Sequence, residues 1–393
     1  YLRYPRYVDP ITGAAADLNT ILGRLAMMKR ANERNRGHIE GLGFARWKRP
    51  LVRPFFKGTG SSLGFSDSTE RALERARRTQ GRICVWASRE PEDLAPRARQ
   101  VAVPVVRIED GFLRSVGLGS DLLPGASLVF DRRGIYYDPH GLSELEEILE
   151  FEEFDRETLA QAAALRERLL ATGVTKYNLG REAPFGFETD PRPKVLVPGQ
   201  VEDDASIRAG GGAIRTDLDL LRAVRARRPD ALLVFKPHPD VEAGNRRGSI
   251  PEAEARKLAD VVLRSASPHA AIASVDEVHT LTSLLGFEAL LRGRRVATYG
   301  GPFYAGWGLT DDQMTFPRRT RRLSLDQLVA GSLILYPAYV DPLSGLPCDA
   351  MTVVERLASG RRGAIHTSLR RGRLWRQVRR ALRGLGHVAR SAG

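Results

Sequence analysis

The sequence predicts an α/β protein with two Rossmann-like lobes facing a cleft. Three observations predict it. Short β-rich runs alternate with helical stretches twice over, a Gly/Pro-rich stretch at 173–193 separates the two sets, and a ten-residue segment near the N-terminus recurs near the C-terminus, framing one large module. Such alternation argues for parallel sheets with helices on both faces, and ligands bind such sheets beyond the carboxyl ends of the strands. The chain has 393 residues, 42% of them hydrophobic, so it can bury a large core and is neither disordered nor collagen-like. No apolar run approaches the roughly 18 residues of a membrane span. Cys84 and Cys348 are the only cysteines. They are too few for a disulfide framework or a Cys-rich zinc site, and the reducing cytoplasm is the expected compartment.

The first element is a repeat. Tyr4-Pro-Arg-Tyr-Val-Asp-Pro-Ile-Thr-Gly13 returns as Tyr336-Pro-Ala-Tyr-Val-Asp-Pro-Leu-Ser-Gly345, identical at seven of ten positions with an offset of 332. That offset is too long for a solenoid and suits tandem copies of one module, so residues 1–40 are expected to be the tail of a preceding copy in a fragment opening at Tyr1. Helices expected over 14–34 and 349–358 are then equivalent closing helices. The N-terminal lobe, 41–180, carries strands over 82–87, 103–108 and 128–130. Its helices fall over 66–79 and 143–171, the second broken near Asp155. The C-terminal lobe, 181–335, carries strands over 194–197, 232–235, 271–274 and 295–299, with helices over 217–228, 251–263 and 283–292. Residues 336–358 form the closing segment, and 359–393 a tail.

The net charge of +14 is concentrated in that tail: residues 361–393 hold ten arginines and no acid, leaving an excess of only four over the rest. Leu369, Leu374, Trp375, Val378, Leu382 and Leu385 recur among the arginines near helical spacing, the pattern of a basic amphipathic helix on an anionic membrane surface. Polybasic helices also bind RNA or stay solvated. With the charge confined there, nucleic acid is not expected as a partner of the whole protein.

Four segments at strand ends and helix starts carry the chemistry. Glu109-Asp-Gly-Phe-Leu-Arg-Ser115 ends the 103–108 strand. Its adjacent carboxylates, Glu109 and Asp110, suit acid/base or nucleophilic work because repulsion raises one pKa; the plain alternative is an Asp capping a turn. Gly199-Gln-Val-Glu-Asp-Asp-Ala-Ser206 stands at the equivalent place in the other lobe. It can set a carboxylate against a reacting carbon, or cap a helix starting near Ser206. Phe235-Lys-Pro-His-Pro-Asp240 holds His238 between two stiff prolines beside Lys236, a pairing suited to phosphate. Thr282 and Ser283 open a helix and could clamp an anion, and Glu288, a turn further on, could reach a ribose hydroxyl or face solvent. The loop Gly300-Gly-Pro-Phe-Tyr-Ala-Gly-Trp-Gly308 suits close approach to a ligand or a packed lid. His140, His269 and His279 read as structural. No phosphate-binding loop or dinucleotide fingerprint occurs. Asp217-Leu-Asp219 has the spacing of a sugar-nucleotide metal motif, but it opens an amphipathic helix and reads as capping and packing. No essential metal is expected.

Taken in order, these motifs, the Pro302-Phe-Tyr-Ala-Gly-Trp-Gly308 loop and the duplicated Tyr-Pro-x-Tyr-Val-Asp-Pro segment resemble the KpsC family of capsular-polysaccharide β-Kdo transferases over about residues 1–350. The Glu-Asp-Gly and His-Pro pair is also similar to bacterial sialyltransferase motifs. The KpsC resemblance implies a GT-B-like glycosyltransferase that moves Kdo from CMP-β-Kdo, with no cofactor, and keeps the β configuration through two displacements at a carboxylate. It implies Asp204 as nucleophile, with Asp203 the neighbour that could take its place, and Glu109 as acid/base, with Asp110 able to exchange roles. Gln200, Lys236, His238, Thr282, Ser283 and Glu288 would hold CMP, and Arg114 would pair with the Kdo carboxylate. Of the family's two modules, the second, β-2,7-linking one fits the Gln200-Val-Glu-Asp-Asp204 form. The implied acceptor is a Kdo oligosaccharide on lyso-phosphatidylglycerol, and the implied location is the inner face of a bacterial inner membrane. A non-catalytic capsule assembly or export factor and an inverting CMP-sialic-acid-type transferase are the alternatives.

Overall fold

The computed structural model describes residues 6–113, 125–173, 184–242, 244, 246, 248–264 and 266–359. Arg114 and the arginine-rich tail lie outside the described residues. β1 (Tyr7–Val8) and β2 (Ala15–Ala16) form an antiparallel hairpin. The helix Leu18–Asn35 follows, opened by Asp17, whose carboxylate accepts from Thr20 N at 2.7 Å. Next come β3 (Gly37–Leu42), β4 (Ser61–Ser66), β5 (Arg82–Trp86), β6 (Val105–Asp110) and β7 (Ser127–Asp131). A second series comprises β8 (Lys194–Pro198), β9 (Leu232–Lys236), β10 (Val261–Val262), β11 (Glu277–Thr280), β12 (Arg295–Thr298) and β13 (Asp311–Asp312). β14 (Pro337–Val340) and β15 (Pro347–Cys348) then return to the first series.

The first series makes a seven-stranded sheet ordered β15-β14-β7-β6-β5-β3-β4, and the second a six-stranded sheet ordered β10-β9-β8-β11-β12-β13. The six-stranded sheet is parallel throughout. The expectation of purely parallel sheets needs correcting for the other one. β3, β4, β5 and β6 are parallel, but β7 runs antiparallel to β6, and β14 antiparallel to both β7 and β15. An antiparallel return along β6 needs no crossover helix, so helix–strand alternation carries no signal for it. β3 also runs across position 40, where the first segment was expected to end.

Two further elements differ from expectation. Of residues 271–274, expected as a strand, 271–273 belong to the helix Pro268–Ala273 and Ser274 is its C-cap. Ser267 caps this helix by accepting from Ala270 N at 3.1 Å, and Pro268 opens it with a preset φ. The strand is instead β11, hidden by its polar residues. Glu277 and His279 are both buried and satisfy one another, Nε2 to Oε2, at 3.1 Å. The helix expected over 251–263 stops at Leu258, and β10 takes Val261 and Val262. The long helical stretch does break at Asp155, whose side chain caps Arg156–Thr172 by accepting from Thr158 N at 2.7 Å.

Each sheet reverses its strand order once, between β3 and β5 and between β8 and β11. Side chains from the loops after β3 and β5, the end of β6, and the loops after β8, β9 and β11 all line one cleft. Aromatic packing holds its floor: the Phe112 ring lies 4.4 Å from Phe303, and Phe303 lies 5.2 Å from Phe287. The 300–308 loop is mainly packing. Tyr304 and Trp307 are fully buried, Trp307 Nε1 donates to Phe303 O at 2.8 Å, and Tyr304 Oη donates to Ser283 O at 2.5 Å. Only its Pro302 and Phe303 reach the cleft. A Cβ on Gly286 would lie 2.2 Å from Tyr304 Oη, so glycine is required inside that helix. The buried Arg319–Glu146 pair, 3.0 Å apart, anchors the same loop through Arg319 Nη1, which donates to Pro302 O and Ala305 O.

Candidate active site

The cleft encloses about 600 Å³, enough for a nucleotide sugar. On the six-stranded side, the apolar run Val195–Leu196–Val197 places β8 in the sheet interior, and the chain leaves it at Gly199. A Cβ there would lie 3.0 Å from both Pro237 Cα and His238 N, so glycine lets the loops after β8 and β9 touch. Gln200 then turns inward. Its Oε1 accepts from Thr282 N at 3.0 Å and Thr280 Oγ1 at 3.2 Å, and its Nε2 donates to Thr282 Oγ1 at 3.0 Å. The chain of hydroxyls continues from Thr282 Oγ1 to Ser206 Oγ at 3.1 Å and from Ser206 Oγ to Asp204 Oδ1 at 2.8 Å. Gln200 and Thr282 therefore act as struts that locate Asp204.

Asp204 combines the two readings the sequence allowed. It caps the helix Ala205–Gly210, accepting from Ser206 N at 3.0 Å, and it lines the cleft. Both recorded bonds fall on Oδ1. Asp203 also borders the cleft, but it is exposed and its carboxylate accepts from Arg246 at 3.0 Å. Lys236 is buried at the end of β9, and burial holds its ammonium below the usual lysine range while the Glu242 carboxylate acts the other way. His238 follows between its prolines. Its Nδ1 accepts from Asp240 N at 3.1 Å, which puts the proton of the neutral ring on Nε2. Ser283 caps the helix Leu284–Leu291 by accepting from Leu285 N at 3.2 Å, and Glu288 is buried on that helix at the cleft wall.

On the seven-stranded side, Glu109 and Asp110 are the last residues of β6 rather than residues beyond it. Glu109 Oε2 accepts from Ser88 N and Oε1 from Asp110 N, each at 3.2 Å. Burial, and after it the neighbouring Asp110 charge, pushes the Glu109 carboxyl up to about 7, against the pull of the Lys48 ammonium. Lys48 Nζ lies 3.2 Å from Asp110 Oδ2 and 3.5 Å from the Trp86 ring centroid. Gly111 makes the turn possible, since a Cβ there would lie 2.4 Å from Ser127 Oγ. Tyr137 joins the two sides: burial first, and then the Glu109 and Asp204 carboxylates, push its phenol above the usual tyrosine range.

The structure thus brings Glu109, Asp110, Gln200, Asp203, Asp204, Lys236, His238, Thr282, Ser283 and Glu288 to one cleft, and Arg114 lies outside the described residues. The sequence reading missed Lys48, Ser88, Arg89, Tyr136, Tyr137 and Arg208, which also line it. Trp47-Lys48 and Tyr136-Tyr137 are unusual pairs on short loops, but nothing local shows which cleft they enter. Among the described residues, no group of three or more His, Cys, Asp and Glu side chains is placed to hold a metal ion.

Asp217 is not on offer as a ligand. It is buried below the cleft with both oxygens accepting from Gln200 N, at 2.9 and 3.0 Å, while Thr216 caps its helix. Burial pushes its carboxyl up to about 8. An unfolded Asp ionises near pH ~4, so the preference of the fold for the neutral acid is fully expressed below that value. It is lost as pH rises from about 4 to about 8. Asp217→Asn keeps an acceptor for Gln200 N and removes the titration. Thermal melts from pH 5 to 8 are expected to show a smaller decline for the variant than for the parent; equal slopes would contradict an ionising Asp217.

The family model described as "Capsule polysaccharide biosynthesis protein" matches residues 82–183 and 156–344. The capsule polysaccharide modification protein LipA of Neisseria meningitidis serogroup B is 44% identical over 357 residues, 91% of this chain and 50% of LipA. The chain therefore spans about half the length of that relative. The solved β-Kdo 2,7 transferase of Thermosulfurimonas dismutans KpsC is 38% identical with a TM-score of 0.68, covering 82% of this chain and 99% of that one. The β-Kdo 2,4 transferase of the same KpsC is 30% identical with a TM-score of 0.70, covering 81% and 98%.

Proposed function

This chain belongs to the capsule polysaccharide biosynthesis family, and from that premise we propose that it is a retaining β-Kdo transferase using CMP-β-Kdo. One observation carries the reading: Glu109 lies 95 residues before Asp204 and Asp204 34 before His238, yet all three line a single cleft at the carboxyl ends of the strands of two sheets. We read the seven-stranded side, residues 41–180, as the acceptor lobe and the six-stranded side, 181–335, as the CMP-sugar lobe of a GT-B-like enzyme. The higher identity to the β-2,7 transferase supports β-2,7 linkage.

In the first displacement an Asp204 oxygen attacks the anomeric carbon, the bond from that carbon to the phosphate oxygen breaks, and CMP leaves with the electron pair. Lys236 charge and the His238 Nε2 proton stabilise the departing phosphate. Ser283 marks the helix start beside it, and Glu288 is placed for the ribose hydroxyls. In the second, Glu109 takes the proton of the acceptor hydroxyl, whose oxygen attacks the same carbon and displaces Asp204. Two inversions retain the β configuration. The acceptor is a Kdo-terminated glycan on lyso-phosphatidylglycerol, and the arginine-rich tail would hold the enzyme on the cytoplasmic face of the membrane. No cofactor or metal enters these steps.

Incubation with CMP-β-Kdo and a synthetic Kdo-terminated acceptor tests this. Acceptor-dependent CMP release with a β-linked product by NMR is expected. A product of the opposite configuration would show an inverting, sialyltransferase-like route, and binding without CMP release a non-catalytic capsule assembly factor.

A further inference from the structure

Lys48, Arg89, Glu109 and Asp110 are the charged side chains on the seven-stranded wall of the cleft. Three of them are engaged within the protein. Glu109 accepts from Ser88 N and Asp110 N, and Lys48 Nζ lies 3.2 Å from Asp110 Oδ2 and over the Trp86 ring. Arg107, two residues before Glu109 on β6, is held by both oxygens of Glu90 at 2.6 and 2.8 Å. Arg89 differs: it is exposed in the cleft, and among the described residues its guanidinium makes no hydrogen bond or ion pair.

The backbone fixes where this side chain starts. Arg89 follows Ser88 in the turn after β5, and that turn is tied down twice. Ser88 N donates to the Glu109 carboxylate at 3.2 Å, and Gly43 closes on Arg89, where a Cβ would lie 3.3 Å from both Arg89 Cβ and Arg89 O. Gly43 has a φ of +77°, which favours glycine there. One short turn therefore holds Glu109 and, a residue further on, a free guanidinium. An acidic sugar brought to an ionised Glu109 beside Asp110 meets like charge, and a cation at the same place offsets it. Lys48 is committed to Asp110, whereas the planar fork of Arg89 is open and matches a carboxylate. We propose that Arg89 is the acceptor-specificity residue, its guanidinium taking the carboxylate of the acceptor's terminal acidic sugar while Glu109 meets a hydroxyl of that sugar. The assignment rests on the acceptor-lobe reading above and adds the feature by which an acidic sugar end is selected over a neutral one.

A Kdo glycoside with a neutral aglycone, compared as free acid and as methyl ester, tests the sugar carboxylate apart from any lipid phosphate. Binding is read by calorimetric titration with CMP present, which needs no turnover, and transfer is read separately with CMP-β-Kdo. The parent chain should favour the free acid by about 10–100-fold in Kd and in kcat/KM. Arg89→Met should bring that preference below about threefold while ester binding and the KM for CMP-β-Kdo stay as they are. Arg89→Lys should restore part of it, since lysine keeps the charge without the fork. Melting should shift by less than about 2 °C in both variants, because the side chain has no protein partner to lose. A free-acid preference that survives in Arg89→Met would overturn the proposal, as would equal binding of acid and ester by the parent. Loss of the binding preference in Arg89→Met, with no CMP release by the parent, would uphold the carboxylate subsite and sink the transferase reading alone.

Discussion

Asp204→Asn is expected to abolish sugar transfer while leaving the fold in place. Loss of a nucleophile from a two-displacement mechanism removes the covalent route altogether, on the order of 10⁴-fold or more in kcat. The structural cost is small because Asn caps a helix about as well as Asp and can still accept from Ser206 N and Ser206 Oγ, the two bonds that Asp204 makes. Melting should therefore move by about 1–2 °C while turnover disappears. Asp204→Ala gives up the cap as well, at about 1 kcal/mol. Asp203→Asn is the internal control. Its carboxylate is exposed and paired with Arg246 at the rim, and its loss should cost less than about tenfold, as a screened surface pair would. A sugar adduct trapped in the parent enzyme and mapped by mass spectrometry should fall on Asp204. An adduct on Asp203 would move the nucleophile to that residue, and a fully active Asp204→Asn enzyme with no trapped adduct would remove the double displacement.

What the sequence disclosed and what it withheld divide along physical lines. Elements signalled by caps and apolar runs are legible: Asp155 and Ser143 start their helices, and β8 and β9 are continuous apolar stretches at the centre of a parallel sheet. β11 is not, because its buried Glu277 and His279 look like surface residues until their mutual hydrogen bond is seen. Ala271–Ile272 misled because a short apolar run has no period of its own and the deciding signal, Ser267-Pro268, lies just ahead of it. The motif residues at strand ends were legible since glycines and prolines mark tight approaches, and Gly111 and Gly199 do meet backbone or Ser127 at distances only glycine tolerates. Lys48 and Tyr137 were not legible. They matter through neighbours 62 and 67 residues away in sequence, Asp110 and Asp204, and no local pattern encodes that.

The pH dependence of transfer should locate Glu109. A base that must be ionised to accept the acceptor proton, with its carboxyl pushed up to about 7, gives an acid limb: kcat/KM falls tenfold per pH unit below about 7 and levels off above. Glu109→Gln removes the limb and leaves a plateau about 10²–10⁴-fold lower, the usual worth of a positioned proton acceptor. The neighbours set the sign of two further shifts. The Asp110 charge raises the Glu109 carboxyl, so Asp110→Asn should move the limb to lower pH. The Lys48 ammonium lowers it, so Lys48→Met should move the limb to higher pH. Since the two carboxyls sit side by side, the limb belongs to the pair, and the opposite displacements in the two variants, rather than the midpoint of either, identify Glu109 as the group that takes the proton. A limb that stays at the same pH in Glu109→Gln would place the base elsewhere, with Asp110, also in the cleft, next in line.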